Sequence, residues 1–341
     1  MNRRALVFEA PHRVGIHEEE LPAPARDEVL CRTICSAVSA GTERLVYRGE
    51  APEEMALDET IKTLGGGFTF PLRYGYACVG EVLETGAGIE RLSVGQRVFA
   101  FHPHASHFIS TESDCFPLPN DTAIEDAALL PSCETALHLA MDGCPIVGER
   151  IIVFGQGAVG LLLAGILSQV KPSILLTFDP CAARRKLSVA WGASASLDPG
   201  DEEDLRQART WLESEPPSGA DLSFEISGNP AALDQALNLT GRNGRLLIGS
   251  WYGTKPVTLD LGGPFHRSAI RLQSSQVSRI PPHLAGRWTR RRRFAEAMKL
   301  LRTLNPSRLI THRIPFGKAE EAYRLLDDDP ATVLQIVLTY G

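Results

Sequence analysis

A glycine-rich segment between two apolar runs constrains the fold of this 341-residue chain more than any other feature. The segment Gly155-Gln156-Gly157-Ala158-Val159-Gly160 follows the apolar run Ile151–Phe154 and opens a stretch with helical spacing, Val159–Gln169. A second apolar run, Ile174–Phe178, comes next. Strand, helix and strand within about 30 residues form a βαβ unit, and its crossover makes the two strands parallel. The sequence therefore predicts an α/β fold with a doubly wound parallel sheet.

The turn of this unit is typical of a dinucleotide-binding site. In G-x-G-x-x-G, Gly155 permits a tight turn, Gly157 lets a pyrophosphate approach the backbone, and Gly160 lets helix and strand pack closely. The amides of Ala158 and Val159 lie at the start of the helix, where unpaired N–H groups and the helix dipole attract phosphate. We therefore predict that these five residues bind the pyrophosphate of a dinucleotide.

The choice between NAD and NADP depends on the end of the second strand. Asp179 stands there, and a carboxylate at this position accepts hydrogen bonds from ribose hydroxyls and repels a 2′-phosphate. We therefore predict NAD as the cofactor. Arg184 and Arg185 follow, and NADP stays an alternative because an arginine here is able to bind the phosphate.

Composition and charge exclude several classes of protein. Hydrophobic residues make up 43% of the chain and charged residues 22%, the balance of a globular protein. No apolar run reaches the roughly 18 residues of a membrane span, and the net charge of −6 gives no general attraction to nucleic acid or to a membrane surface. The N-terminus lacks a long apolar signal region, and the seven cysteines form no CxxC pair. We expect a cytoplasmic protein with free thiols and a small-molecule substrate, without nucleic-acid or membrane partners.

The chain as a whole resembles the zinc-type alcohol dehydrogenases of the medium-chain dehydrogenase/reductase superfamily. The similar segments beyond the glycine-rich turn are residues 95–98 (GQRV), 221–229 (DLSFEISGN) and 244–249 (GRLLIG). Residues 39–43 (SAGTE) and 249–253 (GSWYG) look most like the branch containing bacteriochlorophyllide dehydrogenase. The resemblance implies a mainly-β, GroES-like catalytic domain that is split around a Rossmann domain, with the active site in the cleft between them.

The resemblance also implies the domain boundaries and further cofactor contacts. Residues 1–132 and 276–341 are expected to form the catalytic domain, and residues 133–275 the Rossmann domain. A homodimer through the edge strand near Ile270–Gln273 would fit. Four more residues are expected to contact the cofactor, beneath the nicotinamide or at the carboxyl ends of strands: Thr135, Ser227, Gly249 and Ser250.

Three neighbours of these residues are further candidates at the cofactor or substrate. Glu134 is expected to face the cleft beside Thr135. Trp251 and Tyr252 either stack on a ring of substrate or nicotinamide, or are aromatic residues of the core or of an interface.

The metal ligands of the zinc enzymes are missing. The resemblance places Ser39 at the first cysteine ligand, Tyr76-Ala77 at the His-Glu pair and Pro131 at the second cysteine. Residues 99–111 contain none of the four cysteines of the structural zinc lobe. Because zinc needs three or four nitrogen, sulfur or oxygen ligands, we expect no family-type zinc at either site.

Without zinc, a side chain must exchange the proton of the substrate hydroxyl while hydride moves to or from carbon. Ser39 and Tyr76 replace two ligands and are expected to point at the vacant position, and Thr42 resembles the hydroxyl relay position of the family. His102 and His104 are candidates because a histidine titrates near neutrality. The alternative is that Ser39 and Tyr76 only fill the space left by zinc.

Two polar segments keep more than one interpretation. His102, His104 and His107 either converge on a divalent ion or belong to a polar loop with one histidine facing substrate. Arg287–Arg293 is either a solvated face or a docking site for an anion.

Together these features predict a zinc-independent oxidoreductase that transfers hydride between NAD(H) and a secondary alcohol or ketone, with a ring-containing substrate as one option. Two alternatives stay open: an NADPH-dependent quinone or enoyl reductase, and a dinucleotide-binding scaffold without catalysis.

Overall fold

The computed structural model describes residues 1–341, and the chain divides into two compact units. The terminal unit comprises residues 1–131 and 301–341, and the central unit comprises residues 132–300. Residues 276–300 therefore lie in the central unit and not, as the sequence suggested, with the C-terminal part of the catalytic domain. The reason is a buried arginine in this segment, Arg293, whose guanidinium binds side chains of the central unit.

The strands in chain order are β1 (Asn2–Ala10), β2 (Arg13–Glu20), β3 (Glu28–Val38), β4 (Cys78–Thr85), β5 (Arg97–Ala100), β6 (His107–Thr111), β7 (Cys115–Pro117), β8 (Arg150–Phe154), β9 (Ile174–Phe178), β10 (Ala195–Leu197), β11 (Ala220–Glu225), β12 (Thr240–Ile248), β13 (Arg271–Ser274), β14 (Ile310–Pro315) and β15 (Gln335–Thr339). The α-helices are α1 (Thr42–Arg48), α2 (Ile124–Ala128), α3 (Leu130–Gly143), α4 (Ala158–Ser168), α5 (Ala182–Ala190), α6 (Glu202–Leu212), α7 (Pro230–Leu239), α8 (Arg290–Leu304) and α9 (Ala319–Asp328).

The terminal unit is built on strands that pair mostly antiparallel. β1 and β2 form a two-stranded hairpin, and the larger sheet has the order β14-β15-β3-β4-β5-β7, with β6 paired to β3. Only β14 and β15 run parallel. Val29, Cys31 and Phe108 are fully buried in one core cluster of this unit. Residues 51–69 contain no helix or strand.

The central unit is a six-stranded parallel sheet with the order β10-β9-β8-β11-β12-β13. Its first strand, β8, lies in the middle, and the chain winds outward first to one edge and then to the other, which is the Rossmann order. The rings of Phe154 and Phe178 stack with centroids 4.2 Å apart in its core. The predicted fold class, a Rossmann sheet with a mainly-β second domain, is confirmed.

The central strands β8 and β9 are nearly continuous apolar runs because both of their faces are covered. The predicted runs Ile151–Phe154 and Ile174–Phe178 correspond to β8 and β9, and Ile270–Gln273 corresponds to the edge strand β13. None of the helices has the length and apolar composition that a membrane crossing requires.

Candidate active site

The turn between β8 and α4 is shaped for close approach of a ligand to the backbone. Gly155 has φ +97°, a left-handed conformation that favours glycine. A Cβ on Gly160 would lie 2.0 Å from the carbonyl oxygen of Gly155, so this glycine is required for the turn to pack. A Cβ on Gly157 would meet nothing within 4 Å, which leaves open space above the loop.

The first turn of α4 keeps its N–H groups available. Gly157 is the N-cap residue and offers no side chain to cap the helix. The amides of Ala158 and Val159 therefore lack intrahelical partners, and both residues are partly exposed. Unpaired amides beside open space at a helix N-terminus fit the pyrophosphate of a dinucleotide.

Asp179 directly follows β9 and fastens this turn to the neighbouring strand. Its Oδ2 accepts a hydrogen bond from the Gln156 amide and its Oδ1 one from the Cys181 amide, each at 2.8 Å. Arg185 Nη1 donates to the carbonyl oxygen of Asp179 at 2.9 Å, and Arg184 Nη1 lies 3.9 Å from its Oδ2. The carboxylate is thus held rigidly at the position that the sequence assigned to ribose recognition.

Three more predicted cofactor residues follow the strands β11 and β12. Ser227 donates from its amide to Oε1 of the buried Glu225 at 2.8 Å. Ser250 Oγ accepts the amide of Gly228 at 2.8 Å. A Cβ on Gly249 would lie 2.7 Å from an isoleucine methyl group, so no larger residue fits there. These hydrogen bonds hold the two strand ends together at the carboxyl edge of the sheet.

Tyr252 has a structural partner. Its phenol donates to Oε2 of Glu225, a fully buried carboxylate at the end of β11, and its ring packs against the core of the central unit. Burial and the charge of Glu225 raise the pKa of Tyr252. Of the two interpretations given for this aromatic residue, the structure favours the core one.

Glu134 is buried rather than cleft-facing, and Arg293 is the one buried member of the basic segment 287–293, whose other arginines are exposed. Arg293 is 1% exposed and donates to Glu134 Oε1 from Nε at 3.0 Å and from Nη2 at 2.9 Å. Its Nη1 lies 2.9 Å from His138 Nδ1. Burial raises the pKa of Glu134, and Arg293 opposes this shift. The guanidinium therefore stabilises the charged form of the buried carboxyl group. Thr135, the next residue of α3, is partly exposed.

In the terminal unit the structure brings together three of the five predicted catalytic residues. The Tyr76 phenol donates to Ser39 Oγ at 2.6 Å, and both residues are partly exposed. Burial raises the pKa of Tyr76, hydrogen bonds with Ser39 and Thr42 lower it, and the charges of Glu43 and Asp58 raise it further. The phenol is therefore protonated at neutral pH and is able to donate a proton or a hydrogen bond.

His102 does not belong to this group. It is 8% exposed, its ring stacks on Phe108 with centroids 5.0 Å apart, and Nδ1 lies 2.7 Å from the carbonyl oxygen of Pro103. Burial lowers the pKa of His102 to about 4. The expectation that it titrates near neutrality is wrong, because the core excludes the water that a charged ring requires.

The side chain of His104 is fully buried and has no solvent-exposed surface. Its Nδ1 lies 2.7 Å from Ser36 Oγ and its Nε2 lies 3.0 Å from Glu43 Oε2. Sequence reasoning gave no role to Glu43. A signal was present, since a glutamate in the first turn of a helix commonly reaches back to an amide before the helix, as Glu43 does to Ser39.

The donor set does not fit a zinc ion. The structure contains no group of three or more His, Cys, Asp or Glu side chains that could hold a metal. At the positions where the resemblance places the ligands, Ser39 and Tyr76 bind each other and Pro131 carries no donor. The three loop histidines do not converge on an ion either, because His102 and His104 have the separate partners just described.

The chain is similar to several known dehydrogenases. No family model matches it. It is 24% identical over 355 residues to the D-guloside 3-dehydrogenase of Escherichia coli, covering 99% of this chain and all of the relative. It is 25% identical over 340 residues to the L-threonine 3-dehydrogenase of Pyrococcus horikoshii, covering 91% and 90%. These full-length similarities confirm the prediction of an oxidoreductase like the medium-chain alcohol dehydrogenases.

Solved structures share the whole fold. An Escherichia coli oxidoreductase of unknown specificity gives a TM-score of 0.80 with 17% identity over 100% of both chains. An alcohol dehydrogenase of Escherichia coli CFT073, solved with NADH, gives 0.79 with 18% identity, covering 99% of both chains. A zinc-binding dehydrogenase of Sinorhizobium meliloti, solved with NADP, gives 0.76 with 18% identity, also covering 99% of both.

Proposed function

We propose that this protein is a zinc-independent, NAD-dependent dehydrogenase that interconverts a secondary alcohol and its ketone, with Tyr76 as the group that exchanges the hydroxyl proton. The observation that carries the proposal is the hydrogen bond of 2.6 Å from the Tyr76 phenol to Ser39 Oγ, at positions where the resemblance places metal ligands. The relatives named as a guloside and a threonine 3-dehydrogenase support a secondary alcohol as the substrate class. The neighbours solved with NADH and NADP support a nicotinamide cofactor.

The chemistry assigned to Tyr76 follows from its environment. A bound nicotinamide supplies or accepts the hydride. In ketone reduction the protonated Tyr76 donates its proton to the substrate oxygen. Ser39 Oγ, which then no longer accepts a hydrogen bond from the phenol, donates one to the phenolate that forms. In alcohol oxidation the phenolate takes the hydroxyl proton. Because the pKa of Tyr76 is raised, oxidation is expected to accelerate toward alkaline pH while reduction stays fast at neutral pH.

The preference for NAD rests on Asp179. Its carboxylate is held by two backbone amides and would lie close to a 2′-phosphate bound beyond β9. Arg185 Nη1 donates to the carbonyl oxygens of Asp179 and Pro180 and to Asp198 Oδ2, so this nitrogen is engaged within the protein.

The first test is a fluorescence titration of the EDTA-treated protein with NADH and with NADPH, using energy transfer from its four tryptophans. Tighter binding of NADH is expected. Preference for NADPH would overturn the assignment to Asp179 and favour a quinone or enoyl reductase, and binding of neither would favour a scaffold without catalysis.

The second test is a screen of secondary alcohols with NAD, including glycosides, hydroxy amino acids and ring alcohols, on protein whose metal content has been measured. With a substrate in hand, Tyr76→Phe is expected to lower kcat at least about 100-fold without changing the Kd for NADH. Ser39→Ala, which removes only the partner of the phenol, is expected to lower kcat about tenfold. Activity that depends on zinc would refute the role of Tyr76.

We also propose that two chains associate through β13. This strand ends the parallel sheet, all four of its residues are exposed, and Leu272 is a large apolar residue on it. An unpaired edge strand offers N–H and C=O groups to a second copy. Light scattering is expected to give the mass of a dimer, and Leu272→Asp the mass of a monomer; a monomeric parent would contradict the proposal.

A further inference from the structure

The Ser39–Tyr76 pair continues into a buried polar network centred on Glu43. This carboxylate is 0% exposed and accepts three hydrogen bonds. Its Oε1 accepts the Ser39 amide at 2.7 Å, and its Oε2 accepts the Tyr323 phenol and lies 3.0 Å from His104 Nε2. A carboxylate so far from water keeps its place only when its oxygens have donors, and here both do.

One arrangement of protons satisfies every atom of this network with Glu43 as a carboxylate. His104 then carries its proton on Nε2 and donates to Glu43, so that its Nδ1 accepts from Ser36 Oγ at 2.7 Å. Ser36 Oγ in turn accepts from the Tyr340 phenol at 2.8 Å. In this arrangement the hydrogen bonds from Tyr340, Ser36 and His104 form a chain that ends at Glu43, which carries the negative charge.

The ring of His104 also fixes the backbone directly before Tyr76. Gly75 has φ +102°, and a Cβ on it would lie 2.4 Å from Cδ2 of His104. The amide of His104 donates to the carbonyl oxygen of Tyr74 at 3.3 Å. The segment that carries the phenol is thus pressed against His104, while the segment that carries its hydroxyl partner is bound by Glu43.

We infer that Glu43 and His104 are positioning residues, which together hold the phenol of Tyr76 on its serine partner, with the charge of Glu43 favouring the donating form. The inference rests on the proposed function, in which this phenol exchanges the substrate proton. Glu43 contributes in two ways: it binds the Ser39 amide, and its negative charge opposes formation of a second negative charge on the phenol.

The charges that face Tyr76 are few. Glu43 and Asp58 both raise the pKa of the phenol, and the neighbouring hydroxyls of Ser39 and Thr42 lower it. Two more titratable groups lie at this place: Tyr74, whose ring centroid is 6.1 Å from that of Tyr76, and His104, whose ring lies against Gly75. Removing the charge of Glu43 while keeping a side chain of the same size therefore isolates its effect.

The experiment is ¹⁹F NMR of protein labelled with 3-fluorotyrosine, because fluorine lowers the phenol pKa into the range where proteins stay folded. The chain has six tyrosines, and Tyr76→Phe identifies the resonance of Tyr76. In Glu43→Gln the titration midpoint of Tyr76 is expected to fall by about one pH unit. Glu125→Gln is the matched control: it removes a carboxylate that binds Arg313 in the same unit, and it is expected to leave the midpoint unchanged. An unchanged midpoint in folded Glu43→Gln overturns the inference.

A second variant keeps the test decisive if Glu43→Gln does not fold. Glu43→Asp keeps the charge, but its shorter side chain cannot reach the Ser39 amide together with the His104 and Tyr323 donors. The Tyr76 resonance is expected to move at neutral pH while the resonances of tyrosines outside the network stay in place. A Tyr76 resonance identical to that of the parent would refute the positioning role.

The proposed function and this inference fail in different ways. The NMR titration requires no substrate, so full activity of Tyr76→Phe would end the proposed function and leave the titration result standing. With a substrate, the pH profile of kcat for oxidation is expected to shift in Glu43→Gln by the same amount as the phenol, with KM nearly constant. Loss of activity in Tyr76→Phe together with an unshifted profile in Glu43→Gln would overturn the inference alone.

Discussion

The burial of His102 predicts a specific loss of stability in acid. The pKa of His102 falls from 6.5 to about 4 because the folded core disfavours the charged ring. The unfolded chain therefore binds the proton at a higher pH than the folded chain does, and stability is present in full above the unfolded pKa. It is lost as the pH falls from about 6.5 to about 4. Since one pKa unit corresponds to about 1.4 kcal/mol, the complete loss is about 3 kcal/mol.

The assay compares the parent with His102→Gln, which cannot be protonated but still offers a donor to the Pro103 carbonyl. Denaturant unfolding at about pH 7.5 and about pH 5 is expected to show a free energy of unfolding that falls about 2 kcal/mol less in the variant than in the parent. The comparison also removes the contribution of His107, whose pKa is lowered by burial and by nearby arginines. His266→Gln, at an exposed ring, is the control and is expected to follow the parent. An equal fall in parent and His102→Gln would refute the reasoning.

Two further variants test the central unit. Arg293→Met leaves the Glu134 carboxylate buried without its guanidinium and is expected to destabilise the protein by about 3–5 kcal/mol in denaturant unfolding. Arg291→Met, at an exposed position of the same helix, is the control and should change stability by less than about 0.5 kcal/mol. Similar values for the two variants would contradict the buried pair. Gly157→Ala adds a methyl group to open space and is expected to fold normally but to weaken NADH binding about tenfold, because the methyl group keeps the pyrophosphate from the backbone. Gly160→Ala collides with the backbone and is expected both to weaken NADH binding and to lower the melting temperature. Normal NADH affinity in Gly157→Ala would show that the cofactor does not approach this loop.

The central unit was predictable because its strands obey a simple rule. A parallel strand covered on both faces is an uninterrupted apolar run, and the runs of β8 and β9 were identified to within a residue. The strand β10 was not predicted, since a strand of three residues is too short to show a recognisable hydrophobic pattern.

The loop histidines show where sequence reasoning about the site failed. A segment reading His-Pro-His-Ala-Ser-His is polar by composition, and nothing in it reveals that His102 stacks on Phe108 or that His104 lies against Gly75. The partners come from strands and turns distant along the chain, and only the fold brings them together. For the same reason the run of arginines at 287–293 gave no sign that its last member is buried.

Ser39 and Tyr76 were predictable for a different reason. Their positions correspond to metal ligands in the proteins that the chain resembles, and ligands of one ion converge by necessity. Residues that replace ligands on an unchanged backbone keep that convergence, so the 2.6 Å contact follows from the fold as well as from the two side chains. A metal ion, however, also fixes its ligands and supplies positive charge, and a phenol–hydroxyl pair does neither. Other residues must then hold the pair in place and set its protonation state, which is the role that the burial and hydrogen bonds of Glu43 and His104 support.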